Sequence, residues 1–265
     1  MRKLAAVWTL ILLASFISLQ SQNIGNQYQM IETIKGDFLT CDMKGNLFMM
    51  SDASLYKFNQ EGQILFSYSN LFLGTIASVD VSNPLKIMVF YKDAGKLVFL
   101  DEKLTPITEP IDLLSRNYFN ISLAAFSTDN RIWLYDNVKN ELITVDFQLN
   151  ELQKNHLTIE LLNPRQMNTF KEKNVFIQNP GSGILFFDNF GTYLKLIPIQ
   201  TTAIAQIDDQ FIYYLKDNQL LAYNYQKLNQ IEICTFTDDV RQAIFMHGKV
   251  FYLSNNGLYN KLIIK

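Results

Sequence analysis

Short apolar runs rich in Ile, Val, Phe and Tyr begin at Leu47, Ile87, Ile132, Val175, Phe211 and Val250, spaced 36 to 45 residues apart. A repeat of this kind constrains the fold more than any other feature, because one unit cannot bury its own apolar face and must stack on the next. After each of the first five runs comes a turn, then a second run that ends in an apolar residue followed by Asp or Asn. These ends are Phe58-Asn59, Leu100-Asp101, Val145-Asp146, Phe187-Asp188 and Tyr223-Asn224. Four strand-length segments in about forty residues are the signature of a propeller blade. No long stretch carries a 3.6-residue periodicity. The expected fold class is therefore all-β, a six-bladed β-propeller. The sixth unit reaches Lys265 where its third strand should finish, while Tyr28 to Ile34 has strand character and no partner of its own. Ring closure by this N-terminal strand fills the vacant position and leaves no edge open to aggregation.

Only 11 Gly serve this many turns, so Asn and Asp, which tolerate the left-handed region, must fill many turn positions. The segments Met43-Lys44-Gly45-Asn46-Leu47-Phe48 and Ser54 to Ile64 resemble the "dGniyv" and "riqkFd.nGkf" phrases of NHL-type six-bladed β-propellers, a kind that also includes TolB-like rings. Later units lack the glycine of the second phrase or replace it. The resemblance implies an architecture and no particular activity.

The first 21 residues read as a signal peptide. Arg2 and Lys3 precede an apolar run from Leu4 to Leu19, and Gln20 to Asn23 turn polar. The expected organisation is a signal peptide over 1–21 and a single propeller domain over 22–265. Export follows, to the periplasm, the cell surface or the medium, with no membrane span in the mature chain. The Lys-, Asn- and Ile-heavy usage suggests a bacterial source. A formal net charge of −2 offers no electrostatic footprint for nucleic acid. Hydrophobic residues at 48% against 18% charged exclude a disordered chain. Cys41 and Cys234 are too far apart in sequence to suggest a disulfide framework and are expected as unpaired thiols.

Two His and two Cys leave little catalytic equipment. No His or Cys cluster has ligand spacing, and Gly181-Ser182-Gly183 lacks the pattern of a nucleophile elbow. Polar residues expected at the channel mouth where the inner strands begin are Asp37, Ser78, Asn120, Ser122, Arg165, Gln166, Thr202 and Arg241, with Arg241 and Asp37 placed to pair across the closure. A divalent-metal-dependent hydrolase of the gluconolactonase or regucalcin-like kind would need oxygens from several inner strands, and Asp37, Asp80 and Asn168 could supply three to a cation such as calcium.

The stronger signal is apolar. Leu71 and Phe72 lie in the first inter-blade connection, Leu113, Leu114, Tyr118 and Phe119 in the second, Leu161 and Leu162 in the third. All are expected on one face, either exposed as a binding surface or folded inward over the blades. The favoured reading is an exported, non-enzymatic binding or scaffolding module, monomeric by itself and without a cofactor. It would meet a protein partner in the cell envelope through this connection face.

Overall fold

The computed structural model describes residues 28–127, 130–169, 174–201 and 203–263. The signal peptide expected over 1–21 and the mouth residue Thr202 lie outside the described residues. Six four-stranded antiparallel sheets form six blades of a β-propeller. Blade 1 runs Phe38–Cys41, Leu47–Ser51, Ser54–Phe58 and Ile64–Ser69, from the channel outward. Blades 2 to 5 repeat this order with inner strands Ser78–Asp80, Ile121–Phe126, Gln166–Thr169 and Gln206–Ile207. Blade 6 supplies Val240–Met246, Lys249–Ser254 and Gly257–Leu262, and its fourth strand is Tyr28–Glu32 from the other end of the chain. That strand pairs antiparallel with Gly257–Leu262, Tyr28 opposite Lys261 and Met30 opposite Tyr259. The ring therefore closes as the sequence predicts. Among the described residues no helix is long and apolar enough to cross a membrane.

Several second and third strands are apolar without alternation because they have a neighbouring blade on both sides. Ile87–Tyr91 and Gly183–Phe187 are buried at every position. Outer strands such as Ile64–Ser69 and Glu151–His156 alternate between exposed and half-buried side chains. Within Ile87–Tyr91 the odd-numbered residues Ile87, Val89 and Tyr91 face blade 1, and Met88 and Phe90 face blade 3. The buried apolar side chains group into six clusters, one between each pair of neighbouring blades.

The outer hairpins explain how the glycine of the second phrase can be absent. In blades 1 to 4 the residue after the third strand, Asn59, Asp101, Asp146 or Asp188, accepts backbone N–H bonds from residues two and four positions on. The turn then needs a left-handed residue, which is Gly62 and Gly191 in blades 1 and 4 but Leu104 and Leu149 in blades 2 and 3. A non-glycine residue in this region costs roughly 1–2 kcal/mol. Leu104 and Leu149 are buried between blades, at 3% and 5% exposure, and burial of a leucine contributes about 1.5–3 kcal/mol in return. Leu228 takes the same conformation in blade 5 yet is 72% exposed, so burial of its side chain does not offset its strain.

Candidate functional site

The channel has two mouths of different character. At one, inner strands begin and the inter-blade connections gather; we call it the connection face. At the other, inner strands turn into second strands; we call it the turn face.

On the connection face a cavity of about 180 Å³ brings together Asp37, Ser78, Arg165 and Gln166. Asn120, Ser122 and Arg241 do not line it. Arg241 does not pair with Asp37, against expectation. Its guanidinium donates to Gly36 O at 2.6 Å and Ser254 O at 3.3 Å, while Asp37 Oδ2 accepts the backbone N–H of Asp52 at 2.9 Å. Neighbouring backbone groups satisfy both charges, so Arg241 ties blade 6 to the start of blade 1 and is structural. The buried Gln166 Oε1 has no hydrogen-bond partner in the protein.

The apolar connections divide. Leu71, Phe72, Leu114, Phe119 and Leu162 are 81%, 102%, 41%, 63% and 82% exposed. Leu113 and Leu161 are instead core residues, at 0% and 5% exposure, and Tyr118 is half-buried against the cluster between blades 2 and 3. The reason is local. The backbone N–H of Leu113 donates to Gly95 O, and the single turn of 3₁₀ helix at Leu114–Arg116 follows, which turns Leu113 inward and Leu114 out over Gly95. Leu113 and Leu161 are thus corrected from surface contacts to packing residues.

The channel interior is held by side chains that clamp one blade to the next. Gln242 binds both backbone groups of Leu39, at 2.7 and 2.8 Å, across the closure. Gln206 does the same to Phe245, at 2.9 and 3.1 Å, and Gln178 reaches Ala205 N and Ala203 O. Asp80 accepts from Ser82 N at 2.8 Å and from Phe126 N at 2.7 Å. Both of its oxygens are engaged inside the fold, and burial pushes its carboxyl above the usual range. Asp80 lines a separate cavity of about 150 Å³ with Leu39, Gln206 and Gln242, Asp37 lines the connection-face cavity, and Asn168 borders both, so the three oxygens do not converge in one cavity. That donor set does not fit a resident divalent cation. Among the described residues no group of three His, Cys, Asp or Glu is placed to hold a metal. Cys41 and Cys234 are unpaired, their thiols pushed up to about 12 and about 11, chiefly by burial.

The turn face holds a feature the sequence reading missed, a cavity of about 880 Å³. One wall is the turn Asp208–Phe211 of blade 5, and the other is formed by Ser82, Asn83, Phe126 and Ser127 of blades 2 and 3. The only advance signal was the paired acidic turn Asp208-Asp209, which reads equally well as ordinary turn chemistry.

No family model matches this chain, and no curated protein does. Among solved structures it is similar to a streptogramin B lyase, at a TM-score of 0.58 and 11% identity over 90% of this chain and 88% of that one. It is also similar to virginiamycin B lyase from Staphylococcus aureus, at a TM-score of 0.57 and 12% identity over 90% and 89%. PorZ, a bacterial surface component of the type-IX secretion system of Porphyromonas gingivalis, is similar at a TM-score of 0.51 and 11% identity over 90% of this chain and 38% of that one. The chain is a six-bladed β-propeller. At these identities the likeness establishes the fold alone.

Proposed function

We propose that this propeller is an exported, non-enzymatic binding or scaffolding module that engages a protein partner of the cell envelope through its connection face. The observation that carries the reading is the exposure of Leu71, Phe72, Leu114, Phe119 and Leu162 on consecutive connections between blades 1 and 4. Isolated exposed leucines are ordinary. Five large apolar side chains exposed on three successive connections of one face are the composition expected of a partner site. The scaffold beneath is stiff, since buried leucines anchor the same connections. The setting of PorZ, a bacterial surface component, fits an exported propeller of this kind. The hydrolase reading is not favoured, because Asp80 and Asp37 line separate cavities and Asp80 is already held by backbone N–H groups of Ser82 and Phe126.

The test is site-specific photocrosslinking in envelope extracts, with the crosslinker at position 72. A discrete protein adduct is expected, and the triple variant Phe72→Ser, Leu114→Ser, Leu162→Ser should abolish capture while leaving the melting temperature within about 2 °C. Capture that survives the triple variant would overturn the choice of face.

A further inference from the structure

We propose that the connection-face cavity binds a free amino acid with an apolar side chain, held as its zwitterion. Two opposite charges line this cavity from opposite sides of the ring, Asp37 at the start of blade 1 and Arg165 at the start of blade 4. Among the described residues no other charged side chain lines it. Neither Asp37 nor Arg165 forms an ion pair among the described residues, and the Arg165 guanidinium makes no hydrogen bond there.

Both charges are pinned through the main chain. Asp37 N–H donates to Met50 O at 2.7 Å, and Asp37 Oδ2 accepts the backbone N–H of Asp52 at 2.9 Å. That neutral donor orients the carboxylate and leaves its charge in place. Arg165 N–H donates to Gln178 O at 2.9 Å, and the Gln178 side chain in turn holds Ala203 O and Ala205 N of the next connection. Groups fixed in advance lose little freedom on binding. Arg241, beside Asp37 across the closure, is directed to Gly36 O and Ser254 O and does not line the cavity. In chain order residues 128–129 and 170–173 follow inner strands and adjoin the turn face. The connections contain one residue outside the described set, Thr202, which carries no charge.

What lies between the charges gives the ligand its size and character. Gln166 Oε1 is buried without a partner in the protein, and the Ser78 hydroxyl is uncommitted among the described residues. An α-ammonium brings three donors, which suit the Asp37 carboxylate and the orphaned amide oxygen together. A buried acceptor gains most from such a donor. An α-carboxylate suits the planar fork of Arg165 and the Ser78 hydroxyl. A ligand with one charge would use only half of this arrangement. The rest of the wall is apolar and buried, with Phe38, Val79, Leu123 and Met167 contributed by four different blades. At about 180 Å³ the cavity exceeds the roughly 150 Å³ that admits benzene. The neighbouring cavity of about 150 Å³ shares Val79, Gln166, Asn168 and Ile204 with it, which gives an apolar side chain room along the channel.

Isothermal titration of the purified chain with L-leucine, L-methionine and L-phenylalanine tests this. The N-acetyl and amide derivatives of the same amino acids keep the side chain, remove one charge each, and stand for the last and first residues of a peptide. Saturable binding of at least one free amino acid is expected, at least tenfold tighter than either of its derivatives. Arg165→Gln, at an exposed side chain with no internal hydrogen bond, should weaken binding at least tenfold and bring the free amino acid level with its amide. Asp37→Asn should also weaken it at least tenfold, and should bring the free amino acid level with its N-acetyl derivative. These losses of preference are ones that a merely structural role would not produce. The connection-face triple variant should bind the amino acid as the parent does, which separates this site from the proposed protein-binding face. No binding of any of the three amino acids, a derivative that binds the parent as tightly as the free amino acid, or binding untouched by Arg165→Gln would each overturn the proposal.

Discussion

The two faces of this ring are built from the same strands and differ in what their loops are asked to do. Connections on one face carry the chain from the outer edge of one blade to the channel side of the next, and those between blades 1 and 4 leave Leu71, Phe72, Leu114, Phe119 and Leu162 exposed. Among the described residues, the outer turns on the other face reverse the chain around an Asn or Asp that accepts backbone N–H bonds, and the larger cavity lies at this mouth. One face thus carries the exposed apolar side chains and the other the larger cavity. The face with the more conspicuous sequence is not the face with the larger cavity.

The largest effect should come from removing what both faces share. Deletion of residues 28–34 strips blade 6 of its outer strand and removes Ile31 and Ile34 from the cluster between blades 6 and 1. We expect the melting temperature to fall by about 10 °C or more and the exposed edge to drive concentration-dependent association, measured by differential scanning fluorimetry and light scattering. An unchanged monomer would mean that closure is dispensable and that the faces are held by the blades alone.

A smaller effect separates anchor from surface within the connection face. Leu113→Ser should cost about 3 kcal/mol in chemical denaturation, whereas Phe72→Ser should change stability by less than about 0.5 kcal/mol. Equal costs would show that the exposed set is packed after all.

The smallest effect probes the turn face and changes sign between equivalent positions. Leu228→Gly should stabilise by up to about 1 kcal/mol, because it relieves left-handed strain at a side chain that buries little. Leu104→Gly relieves the same strain but forfeits the inter-blade contact, and should destabilise by about 1 kcal/mol. Two shifts of the same sign would show that burial does not decide these turns.

The sequence announced the ring because its period and blade ends are local patterns. Ile87 to Tyr91 and Gly183 to Phe187 announce buried strands by composition alone, and an unpartnered Tyr28 to Ile34 beside an incomplete last unit announces closure. Neighbouring residues in one connection were harder. Nothing in Leu113-Leu114 states that the first points inward, since a carbonyl of Gly95, eighteen positions away, sets the direction. The engagement of Asp80 was likewise hidden, because its partner Phe126 lies on another blade. The turn-face cavity is a property of the closed ring, and no single segment encodes a hollow.

The composite sixth blade also sets an order of assembly. Blades 1 to 5 each draw their strands from one contiguous stretch, but Tyr28 must wait for Lys261. Closing so long a loop costs only roughly 1.6 kcal/mol more than closing a forty-residue unit, because the entropy grows with the logarithm of length. The delay is kinetic rather than thermodynamic. In chain order Tyr28–Glu32 precedes every blade, and until the final hairpin exists it has no partner strand. The clasp therefore acts as a completeness check: a chain lacking Gly257–Leu262 leaves Tyr28–Glu32 with no strand to pair with.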